Sequence, residues 1–146
     1  MDARGTTAPP PRGAIRLFSP ALAARYAVES VLGACASSVL YRAFDKETKR
    51  TVALKLVRTG ALTPPDLVRY LHGLAAARQA QSPALVRVLE TGEAKDTLTL
   101  TLEDVAGDSL AQRLARGRPD AADALRIARH ALRALSALHG LGILHR

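Results

Sequence analysis

From Tyr26 onward the chain falls into short runs of β-prone residues cut apart by turn chemistry, and this alternation limits the possible fold more than any other feature. YAVESVLG, SSVLYRAF and RTVALKLV follow one another closely, which reads as three strands in a meander. Between the second and third lies Asp45-Lys46-Glu47-Thr48-Lys49-Arg50, wholly polar and suited to a solvated hairpin loop. These two strands are therefore expected to pair antiparallel. Two further strands are expected in ALVRVLETG and DTLTLTLEDV, the latter setting Leu98, Leu100 and Leu102 against threonines with period 2.

Helical periodicity marks the remaining segments. Thr63-Pro64-Pro65-Asp66 opens a run in which Leu67, Leu71 and Leu74 recur at helical spacing. Gly73 weakens this helix by about 1 kcal/mol relative to Ala, and Ser82-Pro83 ends it. After Gly107 the chain turns helical throughout. Asp108-Ser109 can cap a short helix to Arg116, Gly117-Arg118-Pro119 breaks it, and Asp120 can cap a longer one. Leu125, Ala128, Leu132 and Leu135 give that last helix an apolar stripe, which needs something to cover it. Residues 1 to about 22, with the Pro9-Pro10-Pro11 run and scattered apolar residues, are expected to form a flexible leader rich in Pro, Gly and Ala.

Composition removes several function classes. Apolar residues at 48% and charged residues at 23% are ordinary for a globular chain. The longest uncharged runs, such as Ser30 to Tyr41, are well short of the roughly 18 residues of a membrane span. The first residues lack the apolar core of a secretory signal, so a cytoplasmic location is expected. A single cysteine, Cys35, provides no disulfide framework and no zinc cluster, and no metal site is expected. His72 and His139 have no partner ligand at metal spacing and read as surface or packing residues. The net charge of +8 would allow a nucleic-acid partner, but it is spread along the chain and aromatics are only 3%, so none is expected.

Three local features then stand in order. In VLGACASSVLY, residues 31–41, small side chains would let a backbone approach a ligand closely. In Val52-Ala53-Leu54-Lys55 an ammonium sits among apolar strand residues and wants an anionic partner. LSALHGLGILHR, residues 135–146, leads from a helix end into His145-Arg146. With these features the sequence resembles the protein kinases, most closely the bacterial serine/threonine kinases of the eukaryotic type. The spacing from Gly33 to Lys55, Arg25-Tyr26 before the first strand, Ser82-Pro83-Ala84-Leu85-Val86 and Glu103-Asp104-Val105-Ala106-Gly107 all match that family in register.

The resemblance implies an α+β fold. Residues 23–105 would form a kinase-like N-lobe with its hinge, a five-stranded antiparallel sheet with one helix. Residues 106–146 would supply the first two helices of an incomplete C-lobe, truncated before the catalytic aspartate. It implies ATP as the nucleotide, with Lys55 positioning the phosphates. Gly33 would belong to the phosphate loop, and Leu40 and Ala53 would sandwich the adenine. The Glu103 carbonyl and the Val105 N–H would bond the adenine edge, with Leu102 behind it as gatekeeper. Three positions depart from the family pattern. Cys35 and Ser38 stand at loop positions that are glycines in the family, and Gly73 stands where a helix glutamate pairs the lysine.

The expected function is that of the ATP-binding lobe of a serine/threonine protein kinase, with phosphoryl transfer only in a full-length parent. The family's catalytic aspartate and Mg²⁺ ligands follow the His-Arg pair, so this chain is expected to be inactive alone. The alternative is a pseudokinase-like module that binds a regulatory protein partner with weak or no nucleotide affinity. Lys55 could also be an ordinary edge-strand lysine, and residues 33–38 an ordinary small-residue hairpin. Cys35 could be a redox-sensitive thiol at the mouth of the site.

Overall fold

The computed structural model describes residues 19–80, 82–94 and 96–145. Five strands, β1 (Tyr26–Ala34), β2 (Ser38–Asp45), β3 (Arg50–Arg58), β4 (Val88–Ala94) and β5 (Thr97–Glu103), form one antiparallel sheet in the order β1-β2-β3-β5-β4. Helix α1 (Pro20–Arg25) precedes the sheet and α2 (Pro64–Gln79) follows β3, while α3 (Leu110–Ala115) and α4 (Ala121–His139) follow β5. The expected α+β architecture is thus present. Two compact units divide the chain, one running up to Arg69 with Val88–Asp104, the other comprising Tyr70–Arg87 with Val105–Arg146.

In the first unit the register sorts side chains onto two faces, because directly opposed strand residues share a face. Val39, Tyr41 and Ala43 on β2 oppose Leu56, Leu54 and Val52 on β3. With Tyr26 they form a buried cluster, against which Leu22 and Val31 pack. Thr99 and Thr101 on β5 oppose Leu56 and Leu54 and are buried on this same face. The Leu98 and Leu100 side of β5 is buried too. A period-2 pattern reads as a strand with one wet face, yet here both faces are covered. Threonine tolerates this because its hydroxyl finds a partner: Thr101 Oγ1 lies 2.9 Å from the buried Tyr26 hydroxyl.

β1 and β4 are the outer strands, and Arg25, the last residue of α1 before β1, bonds across to the β2 end and to β4. Arg25 donates to both Asp45 oxygens at 3.2 and 3.0 Å and to both Glu90 oxygens at 2.8 and 2.6 Å, with Glu47 at 3.1 Å. Asp45 is 1% exposed and also accepts from the Glu47 N–H and the Thr48 hydroxyl. That Asx-type turn shapes the polar β2–β3 loop, with Lys49 at a left-handed φ of 57°. Register shifts at Val28/Ser30 and Val31/Gly33 put two irregularities in β1, which increase its twist. The sheet curls enough for Arg25 to reach β4.

Residues 1–18 of the expected leader lie outside the described residues. Its last residues differ from the expectation, since Pro20–Arg25 are helical. The Ser19 hydroxyl caps this helix, Pro20 stands at its start, and the Lys46 ammonium bonds the Ala23 and Ala24 carbonyls at its end. β4 also begins later than the Ala84 start of its expected run.

The second unit follows its caps. Ser109 and Gln112 form a reciprocal capping box on α3, and Asp120 accepts from the Asp123 N–H to start α4. Leu138 of α4 is buried, and the Ile143 N–H returns to the Leu138 carbonyl at 3.0 Å. A β-carbon built on Gly73 would meet Ile143 Cγ2 at 4.0 Å, an ordinary contact. On α4, Leu125 is 72% and Leu132 66% exposed, so this part of the stripe is uncovered, while Leu135 is half-buried. No helix among the described residues is long and apolar enough to cross a membrane.

Candidate functional site

The face of the sheet opposite the Tyr41 cluster carries most of the residues singled out above. Gly33 opposes Leu40, Leu40 opposes Lys55, and Lys55 opposes Leu100, making one row across β1, β2, β3 and β5. The next row on the same face is Arg42, Ala53 and Leu102. Lys55 is half-buried, Ala53 is buried, and Leu40 and Leu102 are half-buried. This puts an ammonium, a glycine and a small apolar platform side by side. The strand period does this, since Leu40 and Arg42, Ala53 and Lys55, and Leu100 and Leu102 are each two residues apart.

The β1–β2 hairpin closes tightly at the end of the first row. The Cys35 N–H bonds the Ser38 carbonyl at 2.8 Å, and the Arg58 N–H reaches back to the Ser37 carbonyl at 2.8 Å. A β-carbon on Gly33 would meet nothing within 4 Å, and its φ is not left-handed, so the backbone itself does not demand glycine there. What glycine contributes at Gly33 is open space beside Leu40 and Lys55. Cys35 is exposed, with its Sγ 3.2 Å from Ser38 Oγ and 3.7 Å from Ser37 Oγ. The two serine hydroxyls stabilise the thiolate and bring the thiol down to about 7.

Two of the expected residues are not in these rows. The Glu103 side chain opposes Val52, on the Tyr41 face, so the role given to this residue is one for its backbone carbonyl. Val105 lies beyond β5, is 62% exposed and opens the second unit. Gly73 lies in α2 without a side chain. The Asp66 carboxylate, at the start of that helix, is engaged by the Thr63 hydroxyl and by Arg69.

One feature beside the site went unread in sequence. Arg42, next to Ala53, donates to Asp104 at 2.8 Å, and its Nε lies 3.7 Å from Glu29. Arg42 shares the parity of Leu40, and that was the available signal. Its partner 62 positions away was not readable.

Comparison with known proteins places these rows in context. The family model for the protein kinase domain matches residues 26–146. Serine/threonine-protein kinase pkn3 of Myxococcus xanthus is 34% identical over 128 residues, covering 86% of this chain and 23% of the relative. Probable serine/threonine-protein kinase pknA2 of Bifidobacterium longum is 28% identical over 127 residues, covering 84% and 17%. Serine/threonine-protein kinase H2 of Homo sapiens is 28% identical over 130 residues, covering 88% and 33%. The chain spans between about a sixth and a third of the length of these curated relatives.

Proposed function

The chain belongs to the protein kinase domain family, and we propose that its sheet is the ATP-binding lobe of a serine/threonine kinase. The observation that carries this reading is the cross-strand row of Gly33, Leu40 and Lys55, with Ala53 and Leu102 in the adjoining row of the same face. Residues 23–105 act as the N-lobe with its hinge, and residues 106–146 as the first helices of the C-lobe.

The residues present suit a nucleoside triphosphate. Leu40 and the buried Ala53 offer a flat apolar surface to a nucleobase, and a larger side chain at Ala53 would fill that space. Lys55, one row along, meets phosphate oxygens as a point charge. The open space at Gly33 lets the hairpin backbone approach those phosphates. The Glu103 carbonyl accepts from the exocyclic amine of adenine, the Val105 N–H donates to the ring, and Leu102 limits the depth behind it. ATP with Mg²⁺ supplies the transferable phosphoryl group, and a protein Ser or Thr in the whole enzyme receives it. ATP and a protein substrate are the partners this reading proposes, with the cytoplasm, where ATP is available, as the proposed location.

A second reading, a partner-binding module with weak nucleotide affinity, draws on Cys35 and Ser38 in place of loop glycines and on Gly73 in place of a carboxylate. Calorimetric titration with Mg-ATP separates the two. Saturable binding by the wild-type chain, weakened about tenfold or more in Lys55→Met, is expected of the first. A folded chain that binds no Mg-ATP, or a Lys55→Met variant that binds as tightly as wild type, would overturn it.

A further inference from the structure

Arg42 stands in the row of Ala53 and Leu102, and its ion pair crosses the sheet. β3 lies between β2 and β5 in the strand order, so the bond from Arg42 Nη2 to Asp104 Oδ2 at 2.8 Å passes over β3 on the Ala53 side. The β3–β5 ladder ends at the Val52–Glu103 pair, which leaves Asp104 as the first residue past it. Its carboxylate, 17% exposed, is the handle by which the segment leaving β5 is tied back to the sheet. On its other side Arg42 faces Glu29, at the β1 irregularity between Val28 and Ser30. A guanidinium set between a carboxylate on β1 and one just past the end of β5 has its orientation held from both sides.

We propose that Arg42 is a base-positioning residue that acts through Asp104, holding the backbone at Glu103–Asp104 so that the Glu103 carbonyl selects adenine over guanine. This rests on the ATP-binding reading above. Adenine presents an amine donor at its 6-position, and a carbonyl accepts from it. Guanine presents an oxygen there, so a carbonyl held in place confronts it with a second acceptor. Discrimination therefore depends on that carbonyl not turning away. A buried Ala53 and a half-buried Leu102 form the apolar floor and cannot tell the bases apart, so discrimination at the 6-position falls to the Glu103 carbonyl at the strand exit that Arg42 ties down.

The pair is peripheral to folding, since the Arg42 side chain is 44% exposed, and exposed ion pairs contribute little to stability. Base selectivity and stability should therefore separate. The experiment measures Mg-ATP and Mg-GTP affinities and the thermal unfolding midpoint for the wild-type chain, Arg42→Ala, Arg42→Lys, Asp104→Asn and the Arg42→Ala/Asp104→Asn double variant. Arg42→Ala and Asp104→Asn should each weaken Mg-ATP about fivefold and Mg-GTP less than about twofold, with the midpoint near wild type. The double variant should be no worse than either single one, and Arg42→Lys should recover most of the ATP preference.

An unchanged ATP-to-GTP ratio in Arg42→Ala, with binding still dependent on Lys55, overturns the role of Arg42 alone. Equal losses for both nucleotides together with a lowered midpoint overturn it as well, by showing a purely structural contact. Wild-type chain that binds no Mg-ATP takes down the ATP-binding reading and this inference together.

Discussion

Arg25→Ala is a substitution from which the structure predicts a large loss of stability in the sheet. Arg25 bonds the buried Asp45 and, on the far outer strand, Glu90. Removing it leaves the Asp45 carboxylate with the Glu47 N–H and the Thr48 hydroxyl but without its cation. Breaking one side of a buried pair costs 3–5 kcal/mol in general, and because the Arg25 side chain is 20% exposed, the lower end of about 3 kcal/mol applies. The same pair sets the acid limit. Arg25 holds the Asp45 carboxyl at about 2 against an ordinary 3.8, which corresponds to about 2 kcal/mol at neutral pH. Because the folded value is depressed, the unfolded chain takes up the proton first as pH falls. Stability is full above about pH 4 and drains away between pH 4 and 2, and Glu90, also lowered by Arg25, adds in the same direction. Urea unfolding followed by far-ultraviolet circular dichroism from pH 2 to 7 measures both effects. Arg25→Ala should lose about 3 kcal/mol at pH 7, and Asp45→Asn should flatten the acid slope by about 2 kcal/mol. An Arg25→Ala variant within about 1 kcal/mol of wild type, or an Asp45→Asn variant with the wild-type acid slope, would refute the clamp.

Other expectations concern single contacts. Alkylation of Cys35 by iodoacetamide should rise with pH to a midpoint near 7, and Ser38→Ala should move that midpoint upward, because the hydroxyl 3.2 Å away favours the thiolate. An unchanged midpoint would remove Ser38 as the cause. Tyr26→Phe should cost about 1 kcal/mol in urea unfolding, since it strands the buried Thr101 hydroxyl, and Tyr26→Phe/Thr101→Val should recover part of that loss. The 146-residue chain should self-associate through the exposed Leu125 and Leu132 face of α4, and Leu125→Glu/Leu132→Glu should lower its sedimentation mass toward the monomer. Wild-type chain that sediments as a monomer at high concentration would count against that face as an adhesive surface.

Local chemistry was legible wherever it acts over a few residues. The polar stretch from Asp45 to Arg50 closes the expected β2–β3 hairpin, Ser109 and Asp120 cap the helices after the sheet, and β3 covers the expected run almost to the residue. Helix α1 escaped because one turn of helix has too few residues to show a period. Its cap at Ser19 and its docking through Leu22 reveal it only in the fold. The β4 run reads as starting at Ala84 because Val86 and Val88 look alike in sequence, whereas pairing with β5 starts only at Val88. The candidate site was half-readable. Alternation alone sets Leu40 and Arg42, or Ala53 and Lys55, on one face of a strand, but the register across strands is what makes Gly33, Leu40 and Lys55 neighbours.

By itself the sequence determined the presence of the five strands, the helices after β3 and the caps of the last two, and which side chains share a face within each strand, because periodicity and capping are near-neighbour effects. Only tertiary structure decided which residues stand opposite one another and which charges meet. Arg25 with Glu90 and Arg42 with Asp104 lie 65 and 62 positions apart, and nothing local to these arginines names the carboxylate each one meets. The curl of the sheet brings the first pair together and the strand order the second, and both belong to the pairing of the five strands into one sheet around buried side chains from distant parts of the chain.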